Sequence, residues 1–157
     1  MALIRQILQA IGQDESVPDQ RCESSHFTLN ATAIPRILVA EDECIIALDL
    51  ISTLERLGYF VTGHAISSEE AVEEAIRTQP NLVLMDIRLK DGSDGIEAAE
   101  QIHAQLGIPV VFVSAFSDDN TLQRVKAARM AGFLRKPFSR HQLKEVIKGA
   151  LGRSANE

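Results

Sequence analysis

From Arg36 onward, short apolar runs alternate with longer segments in which apolar residues recur at helical spacing, and this rhythm restricts the possible folds more than any other feature of the chain. The predicted strands are 37–40, 60–65, 82–85, 110–113 and 132–135. The predicted helices cover about 43–57, 67–79, a third segment that ends near 106, 119–131 and 139–151. Strands that alternate with helices of this length favour a doubly wound α/β domain, with a five-stranded parallel sheet between two layers of helices.

Several residues mark where the predicted helices begin and end. Ser67 with Glu70, and Ser139 with Gln142, have the spacing of a capping box, in which the side chain of each residue accepts a hydrogen bond from the backbone N–H of the other. Gly58 follows the first helix at the position where a left-handed residue commonly ends a helix. The helix boundaries are therefore supported by local chemistry as well as by periodicity.

Size and charge exclude several classes of protein. The chain has 157 residues, enough for one domain with a core and short appendages. A net charge of −6 argues against nucleic-acid binding, which needs a basic face. No apolar run approaches the roughly 20 residues of a membrane-spanning helix, and no secretory signal pattern is present. We therefore expect a cytoplasmic protein that binds neither membrane nor nucleic acid, with Cys22 and Cys44 as reduced thiols.

Residues 1–35 differ in character from the rest of the chain. Apolar residues at helical spacing predict an amphipathic helix at about 2–12: Leu3, Ile4, Ile7, Leu8 and Ile11. The following residues up to 35 are mostly polar and predict a linker. Two roles for this helix stay open, because it could be a simple extension or it could cover its apolar stripe by dimerisation or docking.

Polar residues stand at the carboxyl ends of four predicted strands. They are Glu41, Asp42, Asp86, Ser114 and Lys136. In an open parallel sheet, ligands bind outside the carboxyl ends of the strands, near the point where strand order reverses. We therefore expect carboxylates, a hydroxyl and an ammonium group to meet at one edge of the sheet.

Such a set suits a divalent cation and a phosphoryl group. Mg²⁺ prefers oxygen ligands, usually one or two carboxylates together with phosphate. An aspartate can form an acyl phosphate, and Asp86 ends the most apolar strand. Phosphoryl transfer needs charge neutralisation, which the cation and Lys136 would supply. Taken singly, Asp42 could cap a helix, Asp86 and Ser114 could begin turns, and Lys136 could be solvated; their joint placement favours the phosphoryl site.

The chain from about Arg36 to Leu151 resembles the receiver domain of two-component response regulators. The matching segments are Ile-Leu-Val-Ala-Glu-Asp-Glu (37–43), Leu-Val-Leu-Met-Asp-Ile-Arg-Leu (82–89), Val-Phe-Val-Ser-Ala (111–115) and Phe-Leu-Arg-Lys-Pro-Phe (133–138). The resemblance implies a flavodoxin-like, CheY-like sheet of order 2-1-3-4-5. It divides the chain into an extension at 1–35, a receiver domain at 36–152 and a short tail at 153–157.

The resemblance also implies a function and a set of site residues. Asp86 would accept a phosphoryl group from a phosphohistidine on a sensor histidine kinase or a histidine phosphotransfer protein. Mg²⁺, the cofactor, would be bound by Asp42, Asp86 and the backbone carbonyl of Arg88, with Glu41 assisting through water. Lys136 would pair with the phosphoryl group. Such a protein is a signalling phosphoacceptor that catalyses only its own phosphorylation and dephosphorylation.

The switch and the output surface are likewise implied by the resemblance. Ser114 would move toward the phosphoryl group, Phe133 would turn inward behind it, and the Lys136–Pro137 peptide would be cis. The face formed by the fourth helix, fifth strand and fifth helix would then change its affinity for an effector protein, and it offers one route to a homodimer. No effector domain follows in this sequence, so we expect output through protein contact or phosphorelay, unless the chain is part of a larger hybrid kinase or multidomain regulator.

Three positions depart from commoner family residues, and one of them bears on the alternatives. Ser114 stands where Thr is commoner, and Phe133 stands where Tyr is also common. Arg88 is large and cationic beside the acceptor, and our hypothesis is that it shields the acyl phosphate from water. A haloacid-dehalogenase-like phosphatase would need an Asp at position 88, so Arg88 counts against that class. A receiver that only binds partners, without phosphorylation, is disfavoured because all five polar residues are present.

Like charges at this edge lead to a physical expectation. Glu41, Asp42 and Asp86 would crowd negative charge that Lys136 offsets only in part. We therefore expect one of the carboxylates to be harder to ionise than usual.

Overall fold

A computed structural model describes residues 33–115, 119–128 and 130–154. The predicted N-terminal helix at about 2–12 and most of the predicted linker lie outside the described residues. Within the described part, no helix combines the length and the apolar character that crossing a membrane requires.

Strands and helices alternate through the described part, as the sequence predicts. The strands are β1 (Arg36–Ala40), β2 (Phe60–Ala65), β3 (Leu82–Met85), β4 (Val110–Ser114) and β5 (Gly132–Arg135). The α-helices are α1 (Cys44–Arg56), α2 (Ser68–Thr78), α3 (Gly95–Leu106), α4 (Asp119–Ala127) and α5 (Arg140–Ser154). A short 3₁₀ turn, Lys90–Gly92, precedes α3.

The strands form one sheet of order β2-β1-β3-β4-β5, in which every neighbouring pair is parallel. This confirms the predicted doubly wound α/β fold. The chain passes from β1 outward to β2 and then returns across β1 to β3. The order therefore reverses between β1 and β3, and the carboxyl ends of these two strands flank the crevice where such sheets bind ligands.

The core has two layers, one on each face of the sheet. Consecutive residues of a strand point to opposite faces, so Leu38 packs in the cluster with residues of α2 and α3, whereas Ile37 packs in the cluster with residues of α1 and α5. All residues of β3 are buried, as expected for a central strand covered on both faces. The central strands β1, β3 and β4 are thus buried, and the residues at their carboxyl ends extend directly from this core.

One of the two predicted capping boxes is complete, and the other forms only its serine half. Gln142 N–H donates to Ser139 Oγ at 3.2 Å, and Ser139 N–H donates to Gln142 Oε1 at 2.8 Å, so this box is fully reciprocal. Glu70 N–H donates to Ser67 Oγ at 3.2 Å, but the Glu70 carboxylate accepts from Ile66 N–H instead of Ser67 N–H.

Two helix ends differ from the prediction. Helix α4 ends at Ala127 and not near Ala131, because Ala131 N–H donates to Val110 O at 3.0 Å and has already joined the sheet. Helix α5 continues to Ser154, three residues past its predicted end at 151. The helical pattern in the sequence could not show where pairing with β4 interrupts α4.

Candidate functional site

Three polar residues, Glu41, Asp86 and Lys136, are positioned by backbone hydrogen bonds that continue the strand pairing past the ends of the strands. Glu41 N–H donates to Ala65 O at 2.9 Å, which carries the pairing of β1 with β2 one residue past β1. Asp86 N–H donates to Ala40 O at 2.9 Å, and Lys136 N–H donates to Ser114 O at 3.0 Å. Each of these residues therefore sits in a position set by its neighbouring strand and not by a free loop.

The side chains of Glu41, Asp86 and Lys136 converge at this edge. Lys136 Nζ lies 2.5 Å from Glu41 Oε2 and 2.8 Å from Asp86 Oδ2. The exposed fraction of the side chain is 2% for Glu41, 11% for Asp86 and 15% for Lys136. Buried charges require partners of opposite sign, and one ammonium group here serves two carboxylates. Asp86 keeps some exposure, so its carboxylate is not sealed from solvent.

Burial raises the pKa of Glu41 above 4.5, although hydrogen bonding and attraction from Lys136 oppose the shift. The charge of Asp86 also raises it, as a smaller contribution. One carboxylate is therefore harder to ionise, as expected from the sequence. The main reason differs from the expected one, because removal from water outweighs the repulsion between like charges.

Burial by itself would lower the pKa of Lys136, but its hydrogen bonds with Asp86 and Glu41 and their negative charges together raise the pKa above 10.5. Lys136 is therefore a fixed positive charge at neutral pH. A positive charge held beside the Asp86 carboxylate can stabilise an anionic group that binds there.

The loop after β3 holds the Asp86 peptide from the other side. Arg88 N–H donates to Asp86 Oδ1 at 3.2 Å, and Gly95 N–H donates to Ile87 O at 2.9 Å. A Cβ atom at Gly95 would lie 2.0 Å from the backbone oxygen of Asp86, a distance that real Cβ atoms do not tolerate. Gly95 therefore allows the start of α3 to approach the backbone of Asp86.

This role of Gly95 was not predicted from the sequence. The available signal was the dipeptide Asp94-Gly95 directly before a helical pattern, since glycine often marks a close approach of two backbone segments. Asp94 was also missed as the residue that caps α3, where its Oδ1 accepts from Ile96 N–H at 2.8 Å.

The remaining predicted site residues lie around this cluster. Ser114 is fully buried at the end of β4. Asp42 is partly buried next to Glu41, and Arg88 is exposed beyond Asp86. Phe133 in β5 is partly buried and packs against the cluster that contains Phe112. The Lys136–Pro137 peptide is cis, as the resemblance implies.

The acidic edge has the right atoms for a hard cation, since Mg²⁺ prefers carboxylate and carbonyl oxygens. The described residues contain no group of three or more His, Cys, Asp or Glu side chains placed closely enough to hold a metal ion. The donor atoms thus fit Mg²⁺ by chemical type. Glu41 and Asp86 are both bonded to Lys136, but Asp42 does not form a preformed metal site with them.

The sequence model of the response regulator receiver domain matches residues 37–148. The chain belongs to this family. Members of the family are signalling domains, generally bind Mg²⁺ at the acidic pocket, and have kinases or phosphotransfer proteins as partners.

Curated relatives of this receiver are longer proteins. The chain is 39% identical over 122 residues to the transcriptional regulatory protein PdtaR of Mycobacterium tuberculosis, covering 77% of this chain and 59% of that protein. It is 37% identical over 125 residues to the phyllosphere-induced regulator PhyR of Methylorubrum extorquens, covering 78% of this chain and 46% of that protein. The chain thus spans about half the length of the curated relatives it matches.

Solved receiver structures support the same fold. The signal receiver domain of a modulated diguanylate cyclase from Desulfovibrio desulfuricans superposes with a TM-score of 0.73 at 34% identity, covering 78% of this chain and 97% of that one. The anti-anti-sigma factor PhyR from Bartonella quintana superposes with a TM-score of 0.66 at 33% identity, covering 78% of this chain and 49% of that one.

Proposed function

We propose that this receiver accepts a phosphoryl group on Asp86 from a phosphohistidine of a sensor histidine kinase or a histidine phosphotransfer protein. The observation that carries the proposal is the buried cluster in which Lys136 bonds both Glu41 and Asp86 at the switch point of the sheet. A carboxylate oxygen of Asp86 forms the new bond to phosphorus while the bond from phosphorus to the histidine nitrogen breaks. The electron pair of that bond leaves with the imidazole.

The roles of the neighbouring groups follow from charge. Lys136 neutralises negative charge on the transferring group, because its raised pKa keeps it protonated. Asp42, Asp86 and the backbone carbonyl of Arg88 would hold Mg²⁺, with Glu41 assisting through water. The cation would supply additional neutralisation of the phosphoryl oxygens. The Ser114 hydroxyl would donate a hydrogen bond to a phosphoryl oxygen.

The output of this receiver would be a change in protein contacts. Ser114 and Phe133 would respond to phosphorylation, and the face formed by α4, β5 and α5 would change its affinity for an effector or for a second copy of the chain. The similarity to PdtaR and PhyR supports a regulatory output. We also propose that the receiver domain spans about residues 36–152 and that the protein is cytoplasmic.

The test is phosphorylation by acetyl phosphate with Mg²⁺, followed by intact mass and hydroxylamine treatment. We expect a hydroxylamine-sensitive gain of one phosphoryl group in the wild-type chain and in the control Asp49→Asn, which changes an exposed aspartate of α1. Asp86→Asn should remove the gain. A gain that persists in Asp86→Asn would place the acceptor elsewhere, and no gain in the wild type would favour a receiver that only binds partners.

A further inference from the structure

An ion pair joins the start of α3 to α4 next to the acceptor loop. Arg124 of α4 bonds Asp94 Oδ2, while Asp94 Oδ1 accepts from Ile96 N–H at 2.8 Å. The two oxygens of one carboxylate thus perform separate tasks, since one caps α3 and the other binds α4. The exposed fraction of the side chain is 46% for Arg124 and 26% for Asp94, so the pair adds little to global stability.

Asp94 connects the exposed ion pair with Arg124 to Asp86, the proposed phosphoryl acceptor, through backbone contacts. Asp94 forms an antiparallel bridge with Arg88, whose N–H donates to Asp86 Oδ1. The next residue, Gly95, presses so closely on the Asp86 carbonyl that no Cβ fits between them. A shift of Asp94 therefore moves one backbone group that bonds the Asp86 carboxylate and another that packs against the Asp86 carbonyl.

Charge around the pair favours Arg124 as the partner of Asp94. Asp94 lines a groove of about 410 Å³ between α2 and α3, whose other charged lining residues are Glu69, Glu73 and Glu97. Among the residues that the structure describes, the lining includes no Lys or Arg side chain. Glu97 and Glu100 of α3 also attract Arg124. Arg124 thus brings the counter-charge from α4 to an acidic region of α3.

We propose that Arg124 is a positioning residue for Asp86, and that it acts through Asp94 and Gly95 to couple the placement of α4 to the geometry of the acceptor loop. The coupling itself is a property of the fold, whereas its effect on phosphorylation rests on the proposed function of Asp86. Because coupling is reciprocal, whatever moves α4 also changes the acceptor loop, and a change at Asp86 also biases α4.

The first experiment measures hydrogen exchange of the loop amides at 87–95 in the full chain. Arg124→Gln removes the charge, and Asp94→Asn keeps the capping oxygen, since Asn caps helices as well as Asp does. We expect both variants to exchange these amides roughly two- to fivefold faster than the wild type, a factor in line with an exposed ion pair.

The matched control is Arg77→Gln, which breaks an exposed ion pair with Glu74 on α2. This control should leave exchange at 87–95 unchanged, and all variants should keep the wild-type melting temperature within a degree or two. Arg124→Lys should restore slow exchange, and the double variant Asp94→Asn/Arg124→Gln should exchange no faster than either single variant. Loop exchange in Arg124→Gln equal to that in Arg77→Gln, or additive effects in the double variant, would overturn the proposal.

The second experiment separates this proposal from the function of Asp86. The rate of phosphorylation by acetyl phosphate should fall roughly two- to fivefold in Arg124→Gln and Asp94→Asn, but not in Arg77→Gln. An unphosphorylated wild-type chain would refute the proposed function, while the exchange data would still decide the coupling. Rates equal to the wild type in both variants, with Asp86 phosphorylated, would refute the positioning role alone.

Discussion

The two sides of Asp86 are held in different ways. On the side of β1 and β5, its carboxylate lies in a buried cluster with Lys136 and Glu41. On the side of α3, its backbone is held by the close approach of Gly95 and, further out, by the exposed pair of Asp94 and Arg124. The Asp86 carboxylate is thus held by buried charged groups at the ends of two other strands, whereas the Asp86 carbonyl, which follows a strand-paired N–H, is packed against a loop at the surface.

The largest effect on stability is expected from removing the positive charge of Lys136 from the buried cluster. Lys136→Met keeps a similar volume but leaves two buried carboxylates without their cation. We expect the free energy of unfolding at pH 7 to fall by about 3 kcal/mol, the lower end for a broken buried ion pair, because Asp86 and Lys136 keep some exposure. Urea unfolding of the chain measures this, with Lys144→Met on α5 as a control.

The pH dependence sharpens that prediction. The pKa of Glu41 is raised in the folded state, so its contribution to stability is present below its ordinary value of 4.5 and is lost as pH rises through the folded pKa. Removing Lys136 deletes the group that opposes this shift. The destabilisation in Lys136→Met should therefore shrink as the pH is lowered toward 4.5, and a constant difference between the two chains would contradict the burial of Glu41 as its cause.

The second-largest effect on stability is expected from disturbing the contact between Gly95 and the Asp86 carbonyl. Gly95→Ala places a Cβ against the Asp86 carbonyl, and the chain must move to relieve the contact. We expect a loss of about 2 kcal/mol in unfolding free energy, together with slower phosphorylation by acetyl phosphate.

The chain supplies a matched control for this substitution. A Cβ at Gly149 in α5 would meet no atom within 4 Å, so Gly149→Ala should be neutral or stabilise the helix by up to about 1 kcal/mol. Equal melting temperatures for the two glycine variants would show that the close approach of Gly95 to Asp86 does not affect the stability of the fold.

A smaller effect on stability is expected at the rim of the buried cluster. Asp42→Asn removes a partly buried negative charge beside Glu41, so the unfolding free energy without metal should stay within about 0.5 kcal/mol or increase. The same substitution should abolish Mg²⁺ affinity, measured by titration calorimetry. A clear drop in the melting temperature without metal would contradict the idea that negative charge is in excess here.

The smallest effect is expected at Arg88, on the loop side. Arg88→Ala keeps the backbone N–H that donates to Asp86 Oδ1 and removes only the exposed side chain. If that side chain shields the acyl phosphate, the autodephosphorylation rate should rise while the stability stays unchanged. A rate equal to or lower than that of the wild type would reject shielding.

Local sequence patterns were enough to predict most of the fold. The buried run of β3 and the capping pair of Ser139 and Gln142 are both present, because each depends on residues close together in the chain. The end of α4 was predicted too late, because pairing of Ala131 with β4 decides it. Helical periodicity contains no information about a strand that competes for the same backbone groups.

The order of residues along the chain was enough to predict which groups could meet at the edge of the sheet, because the carboxyl ends of parallel strands lie on one side whatever the details of packing. Three features depend on the folded molecule. Lys136 bonds both Glu41 and Asp86, burial outweighs repulsion in raising the pKa of Glu41, and Gly95 packs against the Asp86 carbonyl. The physical reason is that burial and close backbone contacts depend on what surrounds a residue in space, and those neighbours come from distant parts of the chain.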